Sequence, residues 1–193
     1  MKRNVEEDIK KHWFPEHKAT LTQYGDLQVL QWAKPGTNTY MCRYVFDGNK
    51  MYISGDIGTA VFWLTWKADI HSFDDIHVGY FEEKLTAYEG KRRNYDGDQA
   101  EKELKDWRKR LNENGKKYDR EMMRELINAA KSCSSTDEWT YEYVNGTYHE
   151  FISDLDYDYW DWIYTIGDVM PVRIHGYLVG LKMASEQLKQ QMK

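Results

Sequence analysis

Two histidines and two aspartates fall within seven residues at His71-Ser72-Phe73-Asp74-Asp75-Ile76-His77. These residue types ligate metals. On a helix, however, 71 and 77 do not share a face, and Ser72 with Asp75 three residues later reads better as a capping box. Asp154-x-Asp156-x-Asp158 copies the first half of a calcium loop, but Tyr159 stands where that loop needs Gly and Thr165 where it needs Glu. Gly55-Asp56-Ile57-Gly58 has no following Gly-Lys-Ser/Thr, so it reads as a tight strand connection rather than a phosphate cradle, with Asp56 a candidate exposed group. Cys42 and Cys133 are far apart and lack CxxC spacing, which points to free thiols in a reducing compartment. No catalytic residue, metal site or cofactor is expected from these patterns. The basic runs Lys91-Arg92-Arg93 and Arg108-Lys109-Arg110 have the chemistry to meet phosphate, yet Glu101, Glu103 and Asp106 among them describe an ordinary charged helix surface.

The elements that must hold these residues change period along the chain. Residues 5–13 form a short amphipathic helix that stops before Pro15. Alternating apolar and polar residues then predict an antiparallel meander of four or five strands over about 17–66, with turns at Gly25-Asp26, Pro35-Gly36 and Gly48-Asn49. Beyond that the period becomes 3.6. Phe73, Ile76, Tyr80, Phe81, Leu85 and Tyr88 share one helical face ending at Gly90. A second helix runs from near Asp98 to about Asn114, and a third starts near Asp119. Residues 136–166 mix helical spacing with β-formers and read as helix with breaks near Gly146 and 156. Pro171 opens a last helix with Ile174, Leu178, Leu181, Ala184 and Leu188 on its apolar face. Strands first and helices after is the α+β order. The expectation is one domain over 1–193, with a β-rich part at about 14–67 and a helical part at about 72–192.

Composition excludes several classes. Leu, Ile, Val and Phe make up only 37 of 193 residues, but 8 Trp and 15 Tyr supply the missing apolar area. The net charge of −5 is too small for a disordered chain of that aliphatic content. No apolar stretch approaches the ~20 residues of a membrane span. The charge is unevenly placed. Residues 134–170 hold nine acids, ten aromatics and neither Lys nor Arg, while 84–131 carry 14 basic and 10 acidic residues. Like charges this dense must be offset by folding or by a cationic partner. Carboxylates along a helix can imitate a row of phosphates, and interleaved rings can anchor an interface. The candidate partner-binding residues are therefore Glu142, Glu150, Asp154, Asp156, Tyr157, Asp158, Tyr159, Asp161 and Trp162.

The stretch Met51-Tyr52-Ile53-Ser54-Gly55-Asp56-Ile57-Gly58-Thr59-Ala60-Val61-Phe62, followed by Ser72–Ile76 and by Gly79-Tyr80-Phe81-Glu82-Glu83-Lys84, resembles part of a family of small accessory proteins from bacteriophages and prophages. The resemblance covers about residues 40–90. Some phage accessory proteins of this size and acidity are anti-CRISPR proteins against Cas9-type effectors. The resemblance implies a mobile-element origin and action in a bacterial cytoplasm. Together with the acidic block it gives the expected function: a non-enzymatic inhibitor of a bacterial defence nuclease, whose partner is a Cas9-type effector with its guide RNA. One alternative is a metal-dependent phage nuclease or nucleotide hydrolase that gathers Asp56, Asp74 and Asp75 with His71 or His77. Another is an accessory protein that binds nucleic acid through the 91–124 helices; the negative total charge argues against direct nucleic-acid binding.

Overall fold

The computed structural model describes residues 4–191. In chain order its elements are α1 (Val5–His12), β1 (Lys18–Tyr24), β2 (Leu27–Ala33), β3 (Cys42–Asp47), β4 (Lys50–Gly55), β5 (Ala60–Trp63), α2 (Val78–Glu83), β6 (Leu85–Tyr88), β7 (Asn94–Tyr95), α3 (Gly97–Glu113), α4 (Arg120–Ser132), α5 (Thr136–Glu138), a π-helix (Trp139–Thr147), α6 (His149–Leu155), two 3-10 turns (Tyr159–Asp161 and Ile163–Thr165), β8 (Asp168–Val169) and α7 (Val172–Gln191). The class is α+β. An antiparallel sheet in the order β1-β2-β3-β4-β5-β6 precedes a mostly helical C-terminal part.

The chain divides into two compact units, 1–91 with 171–193, and 92–170. In the first, strand alternation places Leu30, Trp32, Tyr44, Phe46, Met51, Ile53 and Phe62 on one buried face. Gly48, at φ 59, closes the β3–β4 hairpin, and Asp47 pairs with Lys50. Aromatic rings do the work of the scarce aliphatics. Phe62 stacks on Phe81 at 4.3 Å, and Phe73 meets Phe81 edge-on at 5.9 Å.

Helix α7 covers this face, so it belongs with the sheet and not with the helices that precede it. The expectation is one domain with a β-rich part at about 14–67 and a helical part at about 72–192; the two compact units run differently, with α7 in the unit of the sheet. The expected apolar face of α7 is present, but Gly176, Val179, Gly180 and Ser185 are buried as well, because α1 and α2 pack on α7 in addition to β1 and β2. Gly180 permits the approach: a Cβ there would stand 2.6 Å from the Tyr44 hydroxyl and 3.2 Å from the Trp32 ring. The Tyr44 hydroxyl instead donates to the carbonyl of Tyr177 at 3.0 Å.

The helix expected over 73–88 does not form as one element. Residues 70–75 are turns, the Ser72 hydroxyl donates to Asp69 just before them, and the cap of the short α2 is His77, whose Nδ1 accepts from Gly79 N at 3.1 Å. Leu85 pairs with Phe62 as part of β6. Pairing the unsatisfied ladder of β5 outweighs a local helical period.

His17 gives this unit a pH dependence. It is 4% exposed, Nε2 donates to the Tyr40 carbonyl at 3.3 Å, and Nδ1 has no partner among the described residues. Burial, reinforced by the positive charge of Lys34, holds its pKa below the ordinary 6.5 despite the backbone bonds that favour protonation. The unfolded chain therefore takes up the proton first, and stability falls as pH drops through and below 6.5. The urea midpoint is expected to decline from pH 7.5 to 5, and His17→Gln is expected to shrink that decline.

In the second unit α3 and α4 form an antiparallel pair. Asp96 and Asp119 cap their N-termini, accepting from Gln99 N at 3.0 Å and Glu121 N at 2.8 Å. Ala100, Leu104, Trp107 and Leu111 of α3 meet Met123, Leu126, Ile127 and Ala130 of α4 in one core, closed by Trp139, Val144, Tyr148, Ile152, Leu155 and Ile163. Strands β7 and β8 pair and bring the two ends of this insertion together. Among the described residues no helix is long and apolar enough to cross a membrane.

Candidate functional site

The acidic block folds around its own rings. The π-helix explains why 136–166 resists a simple helical reading. Its i→i+5 bonding adds a residue to each turn, so the inward positions Trp139 and Val144 lie five apart instead of three or four. The Trp139 Nε1–H donates to the Ile163 carbonyl at 2.8 Å, and its ring stacks with Tyr143. Asn145-Gly146-Thr147, at the break expected near Gly146, lies within this π-helix, and Asn145 accepts from the Tyr164 hydroxyl at 2.7 Å.

The nine candidate residues separate into two groups. Glu142, Glu150, Asp154, Asp158 and Asp161 are exposed, and among the described residues their carboxylates make no hydrogen bond or ion pair. Glu150 and Asp154 are four apart on α6 and share its outer face. Tyr157 is exposed, at 80%. The other three serve the fold. Tyr159 is only 9% exposed, and its hydroxyl bonds His149 at 3.1 Å. Trp162 is half-buried against Trp107. Asp156 holds the connection between them: Oδ2 accepts from Trp162 Nε1 and Oδ1 from Asp158 N, each at 3.2 Å. Tyr159 and Trp162 are therefore core rings and not free anchors. A period of three along 157–162 is the reason: the stretch around the 3-10 turn Tyr159–Asp161 turns 159 and 162 inward and leaves 157 and 160 outside.

Sequence reasoning left out Trp160, which is 50% exposed and meets Tyr157 edge-on at 5.5 Å, and Tyr141, which is 72% exposed. No sequence signal separates these rings from their buried neighbours. Exposed Asp158 and Asp161 directly follow Tyr157 and Trp160 in the chain, and exposed Asp154 precedes them on α6. The unit has 12 basic and 18 acidic side chains, against 15 and 14 in the rest of the chain. Besides Asp156, two more acids of the block bond internally. Glu138 accepts from the hydroxyl and amide of Ser134, which hold it below the ordinary carboxylate range, and Asp168 accepts from Thr136.

The groups with catalytic potential are not assembled for chemistry. Asp56 accepts from Tyr40 N at 2.7 Å and fixes that residue at φ 55. His77 is a helix cap, and Asp74 pairs with Lys189. Burial opposes ionisation of Asp74, but bonds from Lys189 and Ser185 prevail and hold its pKa down. His71 Nδ1 lies 2.8 Å from Ser185 Oγ. Here serine stands between the acid and histidine, whereas nucleophilic activation needs histidine between the other two, and Ser185 is fully buried. Among the described residues no three His, Cys, Asp or Glu are grouped to hold a metal. Burial pushes the Cys42 thiol up to about 12 and Cys133 to about 11, so neither presents a thiolate near neutral pH.

On α3 and α4 half of the cations are paired: Lys105 with Glu101, Lys109 with Glu113, Arg124 with Glu121, and Lys131 with Asp98 and Glu101. Compared with known proteins, the chain matches no family model, no curated protein and no solved structure.

Proposed function

We propose that this protein is a non-enzymatic inhibitor that docks the exposed acids and rings of 141–161 on a basic, nucleic-acid-binding surface of a bacterial defence nuclease. The observation that carries the reading is the exposed Tyr157–Trp160 pair, in a stretch of chain whose Asp154, Asp158 and Asp161 carboxylates are exposed and make no bond among the described residues. Trp and Tyr gain most when a partner covers them, and they dominate interface energetics. The carboxylates select the sign of that partner and speed its approach. Effectors of the Cas9 type hold nucleic acid in a positively charged channel. That channel offers the required charge, and the resemblance over 40–90 to phage accessory proteins supplies a reason for the two to meet in a bacterial cytoplasm.

The test is a cleavage assay with a purified Cas9-type effector, guide and target DNA. The full chain is expected to stop cleavage near equimolar ratio. Tyr157→Ala with Trp160→Ala is expected to weaken inhibition by at least about tenfold, as loss of a hot-spot pair does. Undiminished cleavage in the presence of a large excess of protein argues against this target class. Full inhibition by the double variant argues against the surface.

A further inference from the structure

We propose that the cavity where α3 meets α4, lined by Arg108, Asn112, Tyr118 and Arg120, binds a phosphate group carried by a nucleotide or by single-stranded nucleic acid. The cavity measures about 520 Å³, which is within the range of ligand sites. Such sites are mostly apolar, whereas the side chains here are polar or cationic, which is the chemistry of a charged ligand.

Half of the cations of these helices, Lys102, Arg108, Arg110 and Arg120, have no ion pair among the described residues, and of these four Arg108 and Arg120 line the same cavity. Lys105, Lys109, Arg124 and Lys131 each have an acidic partner. Arg108 and Arg120 have no ion pair among the described residues, although Arg108 is half-buried. Two guanidinium groups facing one cavity repel each other until an anion sits between them, and their planar forks match phosphate oxygens two at a time. The remaining groups supply donors. The Tyr118 hydroxyl donates to Asn112 Oδ1 at 2.7 Å, which turns the amide so that its NH₂ remains available. Asp119 is the acid next in sequence, and its Oδ1 caps α4, accepting from the amides of Glu121 and Met122 at 2.8 and 3.1 Å. Exposed Lys116 and Lys117 add two cations to the same α3–α4 connection.

This site is separate from the acidic surface, and its test does not depend on that surface. The full chain is titrated calorimetrically with inorganic phosphate, adenosine monophosphate and a twelve-nucleotide single-stranded RNA, at two salt concentrations. Saturable one-to-one binding is expected, weakening with salt. Arg108→Gln with Arg120→Gln is expected to lower affinity at least about tenfold at an unchanged unfolding midpoint, while Asp154→Asn binds phosphate as the parent does. If the double variant folds poorly, Arg120→Gln alone, at an exposed position, is expected to show the same direction of change. RNA binding tighter than the monophosphate by more than tenfold assigns the phosphate to a nucleic-acid backbone; equal or tighter monophosphate binding assigns it to a nucleotide. Absence of saturable binding for all three probes, or unchanged affinity in the folded variants, overturns the proposal.

Discussion

Changing Asp154, Asp158 and Asp161 together to asparagine is expected to weaken binding to a basic partner by about 10- to 100-fold. Each exposed carboxylate contributes on the order of 0.5–1 kcal/mol at an interface rim, and 1.4 kcal/mol is one decade of affinity. The three side chains make no bonds within the described residues, so the folded chain loses nothing by the change. Its unfolding midpoint is expected to hold or rise slightly as like charges disappear. Asp156 is left intact in this variant because it bonds Trp162 and the backbone of Asp158. Affinity measured against ionic strength is the decisive reading. The parent's affinity falls steeply with salt and the variant's falls less. Parallel salt slopes would place the electrostatic contact elsewhere.

Trp139→Ala is expected to produce the largest loss of stability in the second unit, about 3–5 kcal/mol. The ring is fully buried, stacks with Tyr143 and donates to Ile163, so truncation opens a cavity and also orphans a buried carbonyl. The same hydrogen bond ties the π-helix to the segment that follows the exposed acids, so partner binding is expected to fall with it. Trp160→Ala is the matched control. With half its surface already in water, it is expected to alter stability by no more than about 0.5 kcal/mol. Denaturant midpoints of the two variants, followed by tryptophan fluorescence and far-UV circular dichroism, check both statements. A larger loss at 160 than at 139 would reverse the assignment of surface and core.

The acidic surface is half visible in the sequence. Counting finds the block at 134–170, because charge distribution is a property of the chain alone. Counting does not distinguish Tyr157 and Trp160 from Tyr159 and Trp162, which share composition and neighbourhood. A single 3-10 turn decides which of them face water. The cation surface behaves in the same way. Arg108 and Lys109 are adjacent in sequence, yet Lys109 pairs with Glu113 and Arg108 faces a cavity.

By itself the sequence determined the α+β order, the meander from 17 to 66, the helices α3, α4 and α7, and the uneven charge. Each of these rests on local information: alternation, turn residues, caps and counts. Only tertiary structure decided that 85–88 is a strand, that α7 belongs with the sheet across an intervening unit, and that Asp56, His71 and Asp74 are structural. The physical reason is common to all three. A backbone donor left open on β5, an apolar sheet face awaiting cover and a buried hydroxyl are demands set by distant parts of the chain. The residues that meet them are chosen by where the fold brings them, not by their own neighbours.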